Sequence, residues 1–261
     1  MAYQLVPVLI INYDQKKILK EKIKVISEYK FILSINENFF LSLSTCSLHL
    51  KEFVVGYLMS EGFINCLDDI ISLDILYKDL IIYCSLFLNN ACLLKINSSK
   101  QNLYNSLEDI EKKEQKSYIK IEHTPCVSAS KLYAGFRDFL NQSPLHSITH
   151  GVHSAALYSA QMDTIFMCDE ISRHNAIDQV IGMACIKKIA LKDKLLFFTG
   201  RISSKIVKKV LSQGIPIIVS RSMPTSSSIL LANKYNLTLI CRVLKDNITV
   251  CAHHDANFIK W

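Results

Sequence analysis

Three groups of residues in this chain combine the types and spacing that do chemistry. The first is a single thiol. Cys126 stands in His123-Thr124-Pro125-Cys126-Val127-Ser128-Ala129-Ser130, a polar, proline-marked stretch leading into helical sequence. A thiol near a helix N-terminus holds more of its thiolate form, and the thiolate is the nucleophile. An unreactive loop thiol is the competing reading. The second group lies where strands end. Gly200-Arg201-Ile202-Ser203 opens one helix, Arg221-Ser222-Met223-Pro224-Thr225 opens the next, and Arg242 follows a third strand with Lys245 close behind. Open α/β sheets bind ligands beyond the carboxyl ends of their strands, where helix N-termini offer free N–H groups to anions. Arginines there add forked donors for phosphate or pyrophosphate. Ordinary helix capping by Ser and Thr, with solvated arginines, is the alternative. The third group is two histidine clusters, Thr149-His150-Gly151-Val152-His153-Ser154 and Asp169-Glu170-Ile171-Ser172-Arg173-His174-Asn175. Histidines beside carboxylates suit proton transfer or a metal, or simply hydrogen-bond a loop together.

Other chemistries lack their signatures. There is no G-x-x-x-x-G-K-[ST] and no G-x-G-x-x-G, so neither a Walker-type nucleotide site nor a Rossmann fingerprint is indicated. No two cysteines stand in C-x-x-C spacing, and neither H-E-x-x-H nor H-x-E occurs. The nine cysteines are odd in number and mostly sit in apolar company, as at Cys84, Cys92, Cys185 and Cys251. They read as small core residues rather than a disulfide framework.

The elements that must position these groups fall into two parts. Strand composition marks Val6–Asn12, Lys20–Ile26, Phe31–Ile35, Phe39–Ser44, Leu73–Tyr77 and Leu80–Phe87. One helix, about Leu48 to Glu61, carries Leu50, Phe53, Val54, Tyr57 and Leu58 at helical spacing, with Gly62 placed to end it. Residues 97–116 are polar and charged and read as a linker or exposed helix. The second part alternates: a helix over 130–141, a hairpin over 154–168, a helix over 175–190, then strand 195–199, helix 203–212, strand 215–220, helix 225–235 and strands 237–243 and 248–252. The predicted class is α/β (α+β): a smaller β-rich domain with one helix over 1–115, and a three-layer domain with a mixed sheet over 116–261.

Composition narrows the classes further. Half of the 261 residues are apolar, enough for a sizeable core. No apolar run approaches the roughly 18 residues of a membrane helix, and the first residues lack a signal peptide's basic and apolar regions, so a cytoplasmic protein without membrane contact is expected. The net charge of +7 fits an anionic small ligand as well as nucleic acid. A single Trp and no aromatic-basic interleaving argue against a single-strand binding platform.

Taken in order, several strings resemble the formate dehydrogenase accessory sulfurtransferase family (FdhD/NarQ). They are Gly56-Tyr57-Leu58-Met59-Ser60-Glu61-Gly62-Phe63-Ile64, the Cys126 loop, Thr149–Ala156, Asp169–Asp178, Gly200–Ser203 and Asn236–Leu239. The resemblance spans roughly residues 50–253. It implies a cytidine-deaminase-like fold and a homodimer. It implies that Cys126 takes persulfide sulfur from a cysteine desulfurase and passes it to the molybdenum cofactor, bis-molybdopterin guanine dinucleotide, for formate dehydrogenase. The family's loop usually reads C-x-x-C, and here the second position is Ala129. The family's cofactor-contacting segment falls on Arg242-Val243-Leu244-Lys245-Asp246-Asn247. Together with Gly200, Arg201, Ser203, Arg221 and Ser222, it would hold the cofactor's pyrophosphate arms. His153, Arg173 and His174 would shape the pocket. No metal ligands are expected, and no nucleic-acid partner. Three competing functions rank behind: a cofactor-binding chaperone without sulfur transfer, a nucleotide-acting hydrolase, and a nucleic-acid binder.

Overall fold

A computed structural model describes residues 2–104, 118–253 and 258–260. The chain opens with β1 (Tyr3–Asn12) and β2 (Lys17–Ile26), an antiparallel two-stranded ribbon that joins no larger sheet. Next come β3 (Tyr29–Ile35), β4 (Asn38–Thr45), α1 (Leu50–Ser60), β5 (Ile70–Lys78), β6 (Ile81–Leu88) and α2 (Asn90–Tyr104). The four strands form a sheet in the order β4-β3-β6-β5, with β3 and β6 parallel. Alternating side chains of β6 (Ile82, Cys84, Leu86, Leu88) are buried, as period-two sequence requires of a sheet with one covered face. α1 covers that face with Leu50, Phe53, Val54 and Leu58. Its stop matches the expectation: Gly62 adopts φ +72, a conformation glycine takes without penalty.

The single helix expected here is joined by a second. α2 starts at Asn90, seven residues before the polar stretch read as a linker. Asn89 Oδ1 accepts from the Cys92 N–H at 3.0 Å, and Cys92 and Ile96 enter the core. The helix runs on into that polar stretch, whose sequence offers little apolar periodicity to read. The expected boundary at 115/116 lies outside the described residues.

The second part contains β7 (Val127–Ser128), α3 (Ala129–Asn141), α4 (Pro144–Thr149), β8 (His153–Tyr158), β9 (Thr164–Glu170) and α5 (Arg173–Ile186). It continues with β10 (Leu195–Phe198), α6 (Ser204–Ser212), β11 (Ile217–Ser220), α7 (Ser226–Lys234), β12 (Thr238–Cys241), β13 (Thr249–Ala252) and β14 (Ile259–Lys260). Six strands form one mixed sheet, ordered β13-β12-β11-β10-β8-β9, in which β10, β11 and β12 run parallel. These three are buried along their whole length, because helices cover both faces. On one face, Ile177, Val180 and Ile181 of α5 pack with Ile206, Val207 and Val210 of α6 against Leu196, Phe198, Ile218 and Leu239. On the other, Leu132, Phe136 and Phe139 of α3 pack against Phe197, Val219 and Ile240. This is the three-layer α/β arrangement with a mixed sheet that the alternating pattern predicts.

Two buried polar contacts fasten the parts together. Lys209 of α6 reaches Asp178 Oδ1 at 3.0 Å, Ser60 Oγ at 2.9 Å and Glu61 Oε1 at 2.9 Å. Glu170, fully buried, accepts from the Thr45 hydroxyl at 2.8 Å, the Cys46 N–H at 3.0 Å and the Gln179 amide at 3.1 Å. Burying a charge is tolerable only when it is so well partnered.

Candidate functional site: the Cys126 cavity and the strand ends

The approach to Cys126 is stitched to the second part of the chain by backbone bonds. Ile119 N–H donates to Leu211 O, Ile121 N–H donates to Tyr235 O at 2.9 Å, and the Asn236 amide donates to Ile121 O at 3.2 Å. Cys126 follows, exposed, and its next residue enters β7, which pairs in parallel with β14 (Val127 with Ile259, Ser128 with Lys260). The thiol thus precedes α3 by a short strand, rather than sitting in its first turn.

Exposure separates Cys126 from most of the other cysteines. Cys46, Cys84, Cys92, Cys168 and Cys241 are buried, Cys185 and Cys251 half-buried, and only Cys66 is also exposed. Burial, aided by the Glu170 carboxylate, pushes the Cys46 thiol up to about 12, and burial does the same to Cys84. Such thiols do not ionise at neutral pH and do not act as nucleophiles.

Two cavities flank the Cys126 loop. The smaller, about 350 Å³, is lined by Glu122, His123, Thr124 and Cys126 on one side and by Asn236, His253 and Phe258 on the other. The larger, about 690 Å³, lies between α3 (Ala129, Ser130, Tyr133) and the turn Leu244-Lys245-Asp246-Asn247-Ile248 that joins β12 to β13. Its walls are mainly apolar with a few polar groups, and its size is that of a small-molecule site. Ala129 lines it only three residues after Cys126, so at most about 11 Å of chain separates the thiol's backbone from that wall.

The residues singled out in the sequence therefore divide. Cys126 borders the smaller cavity and the segment Leu244–Asn247 the larger. Arg242, at φ +50, and Val243 begin the same turn but do not line the cavity. Gly200, Arg201, Ser203, Arg221 and Ser222 lie at the carboxyl ends of β10 and β11 and line neither cavity. Arg201 and Arg221 are exposed, whereas Ser222 Oγ donates to Thr199 O at 3.0 Å and so holds two loops together. The Cys126 cavity is at the opposite end of β12, where Asn236 and His253 stand.

His153, Arg173 and His174 gather at the strand-end site. Burial and then the Arg173 charge lower the His153 pKa; burial, Arg173, Lys209 and Lys205 lower that of His174 to about 4. Both imidazoles are neutral at neutral pH. Gly200 packs against Arg173 so tightly that a Cβ there would meet the Arg173 Cβ at 3.2 Å. Arg173 Nε, His174 Nε2 and Ser203 Oγ are buried polar atoms without a partner. Unsatisfied donors beside the N-termini of α5 and α6 suit an anion. The neighbouring carboxylates do structural work instead: Asp169 accepts the Ser154 and Ser143 hydroxyls at 2.7 Å each, and Glu170 holds the Thr45–Cys46 segment. Among the described residues no group of three or more His, Cys, Asp or Glu side chains could hold a metal ion, and no helix is long and apolar enough to cross a membrane.

Sequence reading missed His253, Thr238 and Tyr133 as site residues. Tyr133 reads as one more apolar position of α3, and the two others become neighbours only through the β12–β13 pairing.

The model of the FdhD/NarQ family matches residues 26–257. A sulfur carrier protein FdhD from Bacillus subtilis is 30% identical over 256 residues, covering 93% of each chain. A protein FdhD from Methanocaldococcus jannaschii is 30% identical over 217 residues, 82% of this chain and 81% of that one. A crystal structure described as that of a formate dehydrogenase accessory protein from Desulfotalea psychrophila superposes with a TM-score of 0.77 at 23% identity, covering both chains completely. At that identity the likeness speaks for the fold.

Proposed function

The chain belongs to the FdhD/NarQ family, and from that premise we propose that it is a sulfur carrier in formate dehydrogenase maturation, with Cys126 as the sulfur-bearing thiol. The observation that carries this reading is an exposed cysteine on a cavity of about 350 Å³, three residues before Ala129 in the wall of the larger cavity lined by Tyr133 and Leu244–Asn247. Cys126 takes the terminal sulfur of a persulfide presented by a cysteine desulfurase. It then delivers that sulfur to a bis-molybdopterin guanine dinucleotide cargo before the cargo enters formate dehydrogenase. One arm of this ligand fits the 690 Å³ cavity, with apolar walls for a flat ring and Lys245 and Asn247 for its polar edge. The unpartnered donors of Arg173, His174 and Ser203, with Arg201 and Arg221 beside them, suit its pyrophosphate. A homodimer is part of this reading. The β1–β2 ribbon exposes Leu5, Leu9, Ile11 and Ile18, and two strands alone are marginal without cover.

The test is peptide mass analysis after incubation with a cysteine desulfurase and cysteine. Wild type gains one sulfur atom on the peptide that holds Cys126, and Cys126→Ala gains none there. Sulfur on another cysteine with Cys126 unloaded would overturn the assignment.

A second reading is a cofactor-binding chaperone without sulfur transfer. It is favoured by Ala129, a side chain without sulfur in the wall of the large cavity. Under it, Cys126→Ala would still support formate dehydrogenase maturation in cells.

A further inference from the structure

We propose that His253, oriented by Thr238, is the group that takes the proton from Cys126 and returns it to the departing thiol. The inference rests on Cys126 being the sulfur acceptor. Cys126 and His253 line opposite sides of one cavity of about 350 Å³. Among the described residues, the other titratable side chains lining it are Glu122 and His123, both exposed and both on the Cys126 strand of chain. His253 comes from the far wall, at the end of β13, and it is held there. Its Nδ1 lies 3.0 Å from Thr238 Oγ1, and Thr238 is fully buried. Its backbone N–H donates to Asn233 Oδ1 at 2.8 Å. Its φ is +53, a left-handed conformation that a non-glycine residue keeps only where its surroundings impose it. A histidine fixed at its backbone and one ring nitrogen, on the same cavity as a thiol, is placed to serve as that thiol's base. With Nδ1–H donating to Thr238 Oγ1, Nε2 keeps the lone pair that a base needs.

The step balances without any oxidant. His253 Nε2 accepts the Cys126 proton, and the resulting thiolate attacks the terminal sulfur of the donor persulfide R–S–SH. The donor S–S bond breaks as the Cys126–S–SH bond forms. R–S⁻ leaves and takes the proton from His253, giving R–SH. Sulfur at the zero-valent level is transferred and nothing is oxidised or reduced.

The experiment measures the rate of sulfur loading on the Cys126 peptide from glutathione persulfide, at pH 7 and pH 9.5, for wild type, His253→Gln and Thr238→Val. A positioned base contributes about 10²-fold or more at neutral pH, and little in alkaline solution, where proton removal needs no positioned base. The expected result is a loss of roughly 100-fold for His253→Gln at pH 7, recovering to within about twofold of wild type at pH 9.5. Thr238→Val shows a smaller loss with the same recovery. Should His253→Gln fail to fold, Thr238→Val carries the comparison. Unchanged loading at pH 7, or equal losses at both pH values, overturns the role of His253 while leaving Cys126 as carrier. Absence of sulfur on wild-type Cys126 at either pH would remove the carrier reading itself.

Discussion

Gly56 of α1 and Gly182 of α5 meet where the two helices cross, backbone against backbone. A Cβ on Gly56 would lie 1.7 Å from the Asp178 carbonyl oxygen, and one on Gly182 would lie 1.8 Å from that of Glu52. Only glycine lets the helices come this close, and the contact ties the smaller sheet's covering helix to the larger sheet. Gly56→Ala or Gly182→Ala must push the helices apart, at a cost of about 3 kcal/mol, the upper end of overpacking. Thermal unfolding followed by circular dichroism should show a lowered Tm for each. The double variant should be less unstable than the sum, because both relieve the same contact.

Removing Lys209 strands Asp178, whose side chain is 1% exposed. Lys209→Met should cost about 3–5 kcal/mol, the price of an uncompensated buried charge. Asp178→Asn should cost less, since Lys209 keeps Glu61 and Ser60. Combining the two should recover much of the Lys209→Met loss. Urea unfolding of the four proteins measures the coupling, and strict additivity would argue against the ion pair.

The acid sensitivity of the fold should run in part through His174. Burial and the charges of Arg173, Lys209 and Lys205 hold its pKa at about 4, below the ordinary 6.5. Between these values the unfolded chain binds a proton here that the folded chain does not, so stability falls as pH falls. The contribution is complete above about pH 6.5 and lost as the pH drops through about 4. Urea midpoints at pH 7 and pH 5 should differ more for wild type than for His174→Gln.

Ala129→Cys would place a second thiol in the wall of the large cavity. With β7 extended between them, the two Cα atoms stand about 10 Å apart, beyond the roughly 7 Å that a disulfide bridges. Mild oxidation with diamide should leave both thiols open to alkylation, and a persulfide on Cys126 should survive the substitution. An internal disulfide in high yield would mean that β7 unzips readily.

How much of this was legible in the sequence depends on how local each feature is. α1 and its Gly62 stop were readable because apolar spacing and a positive-φ glycine are properties of neighbouring residues. The central strands Leu195–Phe198 and Ile217–Ser220 were readable as short apolar runs between helices. α2 was missed although Cys92 and Ile96 enter the core at helical spacing, because the helix runs on into the polar stretch from residue 97. The site was legible by type and not by place: Cys126 stood out as a polar-loop thiol, yet its exposure and its neighbours His253 and Asn236 come from strand pairing across more than a hundred residues. Arg201, Arg221 and Arg242 do stand just past three strand ends, but nothing in the sequence tells that the Cys126 cavity lies at the opposite end of β12. The carboxylates of Asp169 and Glu170 looked chemical because clustered charge is conspicuous; their hydrogen bonds to Ser143, Ser154 and Thr45 could be seen only in three dimensions.

The pairing of β7 with β14 makes the far end of the chain a tether for the reactive loop. Phe258, buried beside Val127, anchors that tether to the sheet. Trimming the chain before residue 258 would slacken the segment that aims the thiol, at a point more than 130 positions away in sequence, while leaving every residue of the loop in place.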